Sequence, residues 1–205
     1  MKEGRRDAVE LVGLVVLLAG YVWFRKELSG RPYFIIPVVL TLVVYAGLRA
    51  ARDRSFLRDA GLRLDNLRPA ARLTASYAVP MGVILVAAYP FTGNPQPPAA
   101  FYLLVIVYPL WGMGQQFIFQ GILHVRLRRL GFRRWSIPLT ALAFASVHWP
   151  SERLVPMTLV GGLFFAYTFY RHPNILPLGI AHGILGAMVY YLILGKDVLD
   201  KFLNS

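Results

Sequence analysis

The apolar residues of this chain fall into long blocks separated by short basic or uncharged joints. A helix needs about 20 mostly apolar residues to cross a hydrocarbon core about 30 Å thick. On that scale the blocks predict seven helical spans, at 8–24, 33–50, 71–89, 99–125, 137–148, 155–170 and 175–194. The fifth is short for a full crossing and is expected to be partly re-entrant or extended by "WPSE". Between the second and third spans, Phe56, Leu57, Leu62, Leu64 and Leu67 alternate with arginines and aspartates, which predicts an amphipathic segment lying on the surface. The fold class expected is all-α, a multi-pass transmembrane bundle.

Composition agrees with the blocks. The 205 residues are 57% hydrophobic and 16% charged, against about a quarter charged in an ordinary soluble domain. There are no cysteines, so disulfides and thiolate metal sites are excluded. The first apolar stretch ends in "YVWFRKE" and has no small-residue cleavage site, so it is expected to be retained as a span.

The net charge of +12 would suit nucleic acid, but its distribution points elsewhere. The basic residues sit between hydrophobic blocks, where they anchor helices at anionic headgroups. Membrane lipid is the partner expected, and nucleic acid is not. With the N-terminus inside, sixteen of the 22 Lys and Arg fall on the inner side. The positive-inside rule therefore predicts a cytoplasmic N-terminus. The expected location is a prokaryotic cell membrane.

Polar residues inside the last four blocks are the candidate chemistry. The stretch "QQFIFQG" places Gln115, Gln116 and Gln120 in an apolar run, where an unpartnered amide costs a few kcal/mol. Gln116, Gln120 and His124 recur every four residues, which predicts one polar stripe on one helix face. Counted at 1.5 Å per residue from the nearest inner arginine, Gln115 and His182 lie roughly 16 Å deep and His148 roughly 21 Å. Three helices thus bring polar groups to one depth. A shared cavity containing Gln115, His148 and His182, open to the inner side, is expected.

Glutamine and histidine also serve as plain interhelical hydrogen-bonding contacts, worth about 0.6 kcal/mol each. His124 and His172, nearest the basic interface, are read that way. Ser136 is expected to N-cap the fifth span, with Pro138 in its first turn.

The order "GQQFIFQGILHVRLRRLG", "LAFASVHWPS", "PLGIAHGILGAM" resembles the CPBP family, also called Abi or type II CAAX prenyl endopeptidases. The resemblance runs from about 53 to 194. It implies a CPBP-like core in the C-terminal helices, with two N-terminal helices over 1–52 and a membrane-embedded core over 53–205. The family pattern is Glu-Glu-x-x-x-Arg, Phe-x-x-x-His and His-x-x-x-Asn/Asp. Phe144, His148 and His182 match it, whereas Gln115 and Gln116 stand for the glutamates, Gln120 for the arginine and Gly186 for the last residue.

The catalytic set that the resemblance implies is therefore Gln115, Gln116, Gln120, Phe144, His148 and His182. In the family, a glutamate and two histidines activate water for attack on a peptide carbonyl. A glutamine amide accepts no proton, so an imidazole would have to be the base. In the family the second glutamate and the arginine form an i, i+4 ion pair. Here both are glutamine, and the two amides are expected to bond each other, a motif neutralised as a set.

Three functions follow as alternatives. One is an intramembrane peptidase with altered chemistry, and another is a non-catalytic relative that binds a hydrophobic or lipid-modified peptide. A transporter using the polar cavity is the third. No cofactor is expected. No metal is expected either, because zinc wants at least three protein ligands and glutamine is a poor one.

Overall fold

The computed structural model describes residues 2–28 and 35–196, with side chains described for 4–24 and 39–196. Among these residues the chain is helical, with no strand. The helices are α1 (Lys2–Leu28), α2 (Ile35–Arg52), the short α3 (Phe56–Asp59), α4 (Leu67–Ala88) and α5 (Ala99–Gln116). After α5 the backbone widens into a π-helical stretch, Phe117–His124, before α6 (Val125–Arg129), α7 (Ser136–Ser146), α8 (Leu154–Arg171) and α9 (Ile175–Met188). A second π turn, Val189–Ile193, closes α9.

Four described helices are long and apolar enough to cross a membrane: Gly4–Phe24, Leu67–Phe91, Ala99–Arg129 and Ile175–Ile193. The predicted 33–50 span begins outside the described residues. Helix α7, at 11 residues, is about 16 Å long and falls well short of a crossing. The expectation at its start is corrected. Ser136 is the first helical residue, not the N-cap, and its hydroxyl donates to the Arg133 carbonyl at 3.1 Å.

The segment between α2 and α4 does more than lie on a surface. Leu57, Leu62 and Leu64 are exposed, but Phe56, Ala60 and Gly61 are buried. Its backbone is tied to the start of α9, where Ile175 N–H donates to the Gly61 carbonyl at 3.0 Å. The buried Asn174 caps α9 by accepting from Leu176 N–H at 3.0 Å. Its amide also donates to the Arg63 carbonyl at 2.7 Å and to Asn66 Oδ1 at 2.9 Å.

Helix α1 is fastened by charge. Arg126, 1% exposed, donates to Glu10 Oε2 through Nε at 2.8 Å and Nη2 at 2.6 Å. The other Glu10 oxygen pairs with Arg49 of α2 at 2.9 Å. Phe56 lies beneath both guanidiniums, its ring 5.1 Å from Arg49 and 5.5 Å from Arg126. Sequence reasoning gave Glu10 no role, although an acidic residue inside a predicted span is itself a signal.

Helices α5 and α9 make the closest approach in the bundle, on glycines. A Cβ at Gly179 would lie 2.6 Å from Met113 Cα, and one at Gly183 would overlap the backbone of Pro109. Small residues let helices touch at backbone distance where lipid supplies no hydrophobic drive. Gly183→Ala should therefore cost more than the 1–3 kcal/mol or so of ordinary overpacking, because backbone atoms must move. The check is the yield and melting temperature of purified protein. A variant melting within a degree or two of the native chain would show that the contact is looser than this.

Candidate active site

The sequence does not leave the histidine-bearing helices as simple cylinders. Helix α7 ends at Ser146, so His148 sits just past its C-terminus, where the last carbonyls have no intrahelical partner. His148 Nδ1 lies 2.8 Å from the Phe144 carbonyl oxygen. A carbonyl only accepts, so Nδ1 carries the proton and Nε2 is the basic nitrogen.

His182 lies on α9, 8% exposed. Its Nδ1 is 3.1 Å from Gln116 Nε2. With the amide in this orientation its nitrogen donates, Nδ1 accepts and the ring proton is on Nε2. The two imidazoles are thus opposite tautomers, one with a basic Nε2 and one with an Nε2–H donor.

Phe144 holds the pair apart. Its ring centroid lies 5.1 Å from each imidazole, which bounds the histidine separation at twice that distance. Phe165 flanks His182 at 5.8 Å and Phe119 backs Phe144 at 5.3 Å. The buried phenylalanines fix where both rings stand.

Phe144, His148 and His182 line one cavity of about 370 Å³. Its walls come from α4 (Tyr77, Met81, Leu85), α5 (Tyr108), α8 (Leu154 to Phe165) and the end of α9 (Leu185 to Tyr190). Among the described residues no carboxylate lines it, and the polar groups are the two histidines, Thr158 and three tyrosines.

The glutamines are placed differently from the sequence expectation. Gln115 is outside the lining, partly exposed on α5, so a cavity shared by Gln115 with both histidines is not what forms. Gln116 reaches the site from behind, fully buried, through His182. Gln120 is buried at 1% exposure. Gln116 and Gln120 do not bond each other; the Oε1 of each is buried without a hydrogen-bond partner among the described residues. The cause is the π stretch, which begins at Phe117 and breaks the i, i+4 stacking assumed for an α-helix. π turns are rare and recur at functional sites.

The cavity also faces the other way. Its lining belongs to the ends of α7, α8 and α9 remote from Arg133, Arg134 and Arg171, so it does not open at the arginine-rich end. His124, buried and 3.4 Å from the Thr140 hydroxyl, packs against Phe169 and Tyr170 outside the cavity. Among the described residues no three His, Asp or Glu gather as a metal site would require.

Residues 97–188, from the start of α5 to the end of α9, match the family described as type II CAAX prenyl endopeptidase Rce1-like. The likeness covers this segment, a little under half of the chain. The segment contains both histidines, Phe144 and all three glutamines, and it is shorter than the 53–194 stretch of the sequence resemblance. No curated protein and no solved structure matches the chain. The match supports a CPBP-like membrane protein, and the apolar helices around the matched segment suit a lipid environment.

Proposed function

We propose that the histidine cavity of the Rce1-like segment takes a hydrophobic or lipid-modified peptide and hydrolyses one of its peptide bonds without a carboxylate base. The observation that supports this reading most is the opposite tautomers of His148 and His182 in one apolar cavity. His148 Nε2 takes a proton from water as the water oxygen bonds to the carbonyl carbon. The carbonyl π electrons move to oxygen, and the Nε2–H of His182 donates to that developing oxyanion. Collapse re-forms the carbonyl and breaks the C–N bond. The leaving amine takes the proton back from His148.

On this reading Gln116 is the residue that makes His182 a donor. A carboxylate at 116 could only accept, and would force the proton onto Nδ1. The neutral motif thus changes the role of His182 while keeping its place. The chain then divides into two N-terminal helices, 1–52, and the core, 53–205, in a prokaryotic cell membrane with the N-terminus cytoplasmic. The cavity lies toward the face away from the cytoplasmic arginines.

A second reading, binding without hydrolysis, draws support from a lining that holds no carboxylate among the described residues. A cleavage assay in lipid nanodiscs, on a peptide with an apolar or prenylated end, separates the two. Native protein should cleave, and His148→Ala should lower the rate about 10²–10⁴-fold. Saturable binding with no cleavage would favour the binding protein, and neither would sink both readings.

A further inference from the structure

We propose that Tyr108 is a catalytic residue of this cavity, its phenol hydroxyl supplying a second hydrogen bond to the carbonyl oxygen that His182 polarises. This rests on the peptide-hydrolysis reading of the cavity.

Position 186 lies one helical turn beyond His182, so a side chain there would stand on the same face of α9 and enter the cavity. Gly186 leaves that space empty, and Tyr108 of α5 fills it. A Cβ at Gly186 would lie 3.0 Å from Tyr108 Cε1, 3.5 Å from its Cδ1 and 3.9 Å from His182 Cδ2. Cδ2 is the ring carbon bonded to Nε2, so the tyrosine ring and that edge of His182 border the same space at position 186.

The close packing of α5 on α9 makes this possible. A Cβ at Gly183 would overlap Pro109 and lie 2.7 Å from the Tyr108 carbonyl carbon, so the backbone at and just after the tyrosine rests directly on α9. Tyr108 lines the cavity with His148 and His182. A phenol in an apolar cavity is a hydrogen-bond donor, and a peptide carbonyl held there would accept from it. Donors aimed at a developing oxyanion act strongly in a dry site.

The test combines activity and stability on the full chain in nanodiscs, with the apolar or prenylated peptide as substrate. Tyr108→Phe should lower kcat roughly a hundredfold, leaving KM and the melting temperature near native values. Gly186→Asn alone should melt lower, because its Cβ meets the tyrosine ring. Tyr108→Ala with Gly186→Asn should relieve that clash and recover much of the kcat lost in Tyr108→Ala, since the amide then donates from the same space. If native protein cleaves and Tyr108→Phe cleaves equally fast, the role of Tyr108 is wrong and the cavity reading stands. Additive melting shifts in the 108/186 pair would equally overturn it. A native chain that neither binds nor cleaves the peptide removes the cavity reading and the Tyr108 role together.

Discussion

Combining Gln115→Glu, Gln116→Glu and Gln120→Arg should raise peptide hydrolysis about a hundredfold over the native chain. The carboxylate that matters is the one at 116, because Gln116 is the glutamine that touches His182. There it accepts from Nδ1–H and makes His182 Nε2 a second basic nitrogen, so His182 changes from oxyanion donor to base and the donor role passes to Tyr108. The guanidinium at 120 is needed for folding more than for chemistry. Position 120 is buried at 1% exposure, and a lone charge in either direction would be stranded inside the membrane domain. Gln120→Arg alone should therefore express poorly. Adding His148→Ala to the triple variant should erase the gain. A triple variant that folds, binds peptide and hydrolyses no faster than native would show that the site is not a muted peptidase.

Arg126→Met should destabilise the protein by about 3–5 kcal/mol, the usual cost of leaving a buried charge without its partner. The uncompensated group would be Glu10, held by two hydrogen bonds from Arg126 and one ion pair from Arg49. Arg129, whose side chain is 38% exposed, makes the contrast. Its pair with Asp59 at 2.7 Å is worth at most about 1 kcal/mol at a solvated surface. Denaturation in mild detergent, followed by tryptophan fluorescence, compares the two. Substituting Glu10→Gln together with Arg126→Met should recover part of the loss, since both charges then leave the interior. Equal effects of Arg126→Met and Arg129→Ala would mean that the cluster is wetter than its burial implies.

What the sequence by itself determined is the class and the cast. Blocks of about 20 apolar residues can satisfy their backbone in lipid only as helices, so the all-helical class is written in hydropathy. Phe144 and His148 are four residues apart at the end of α7, and His148, in the turn just beyond the helix, bonds back to the Phe144 carbonyl, a contact that is local in the chain. The tertiary structure decided which glutamine matters. Gln115 and Gln116 are adjacent in sequence and about 100° apart around the helix, and only the packing of α5 on α9 turns Gln116 toward His182. A periodicity of 3.6 could not foresee the π stretch from Phe117 to His124, which unstacks Gln116 from Gln120. Arg126 looked like a headgroup anchor because its partners, Asp7 and Glu10, are more than a hundred residues away. Sequence patterns record what neighbours along the chain require. Contacts between distant helices depend on how closely glycines let backbones approach, and that is set in three dimensions.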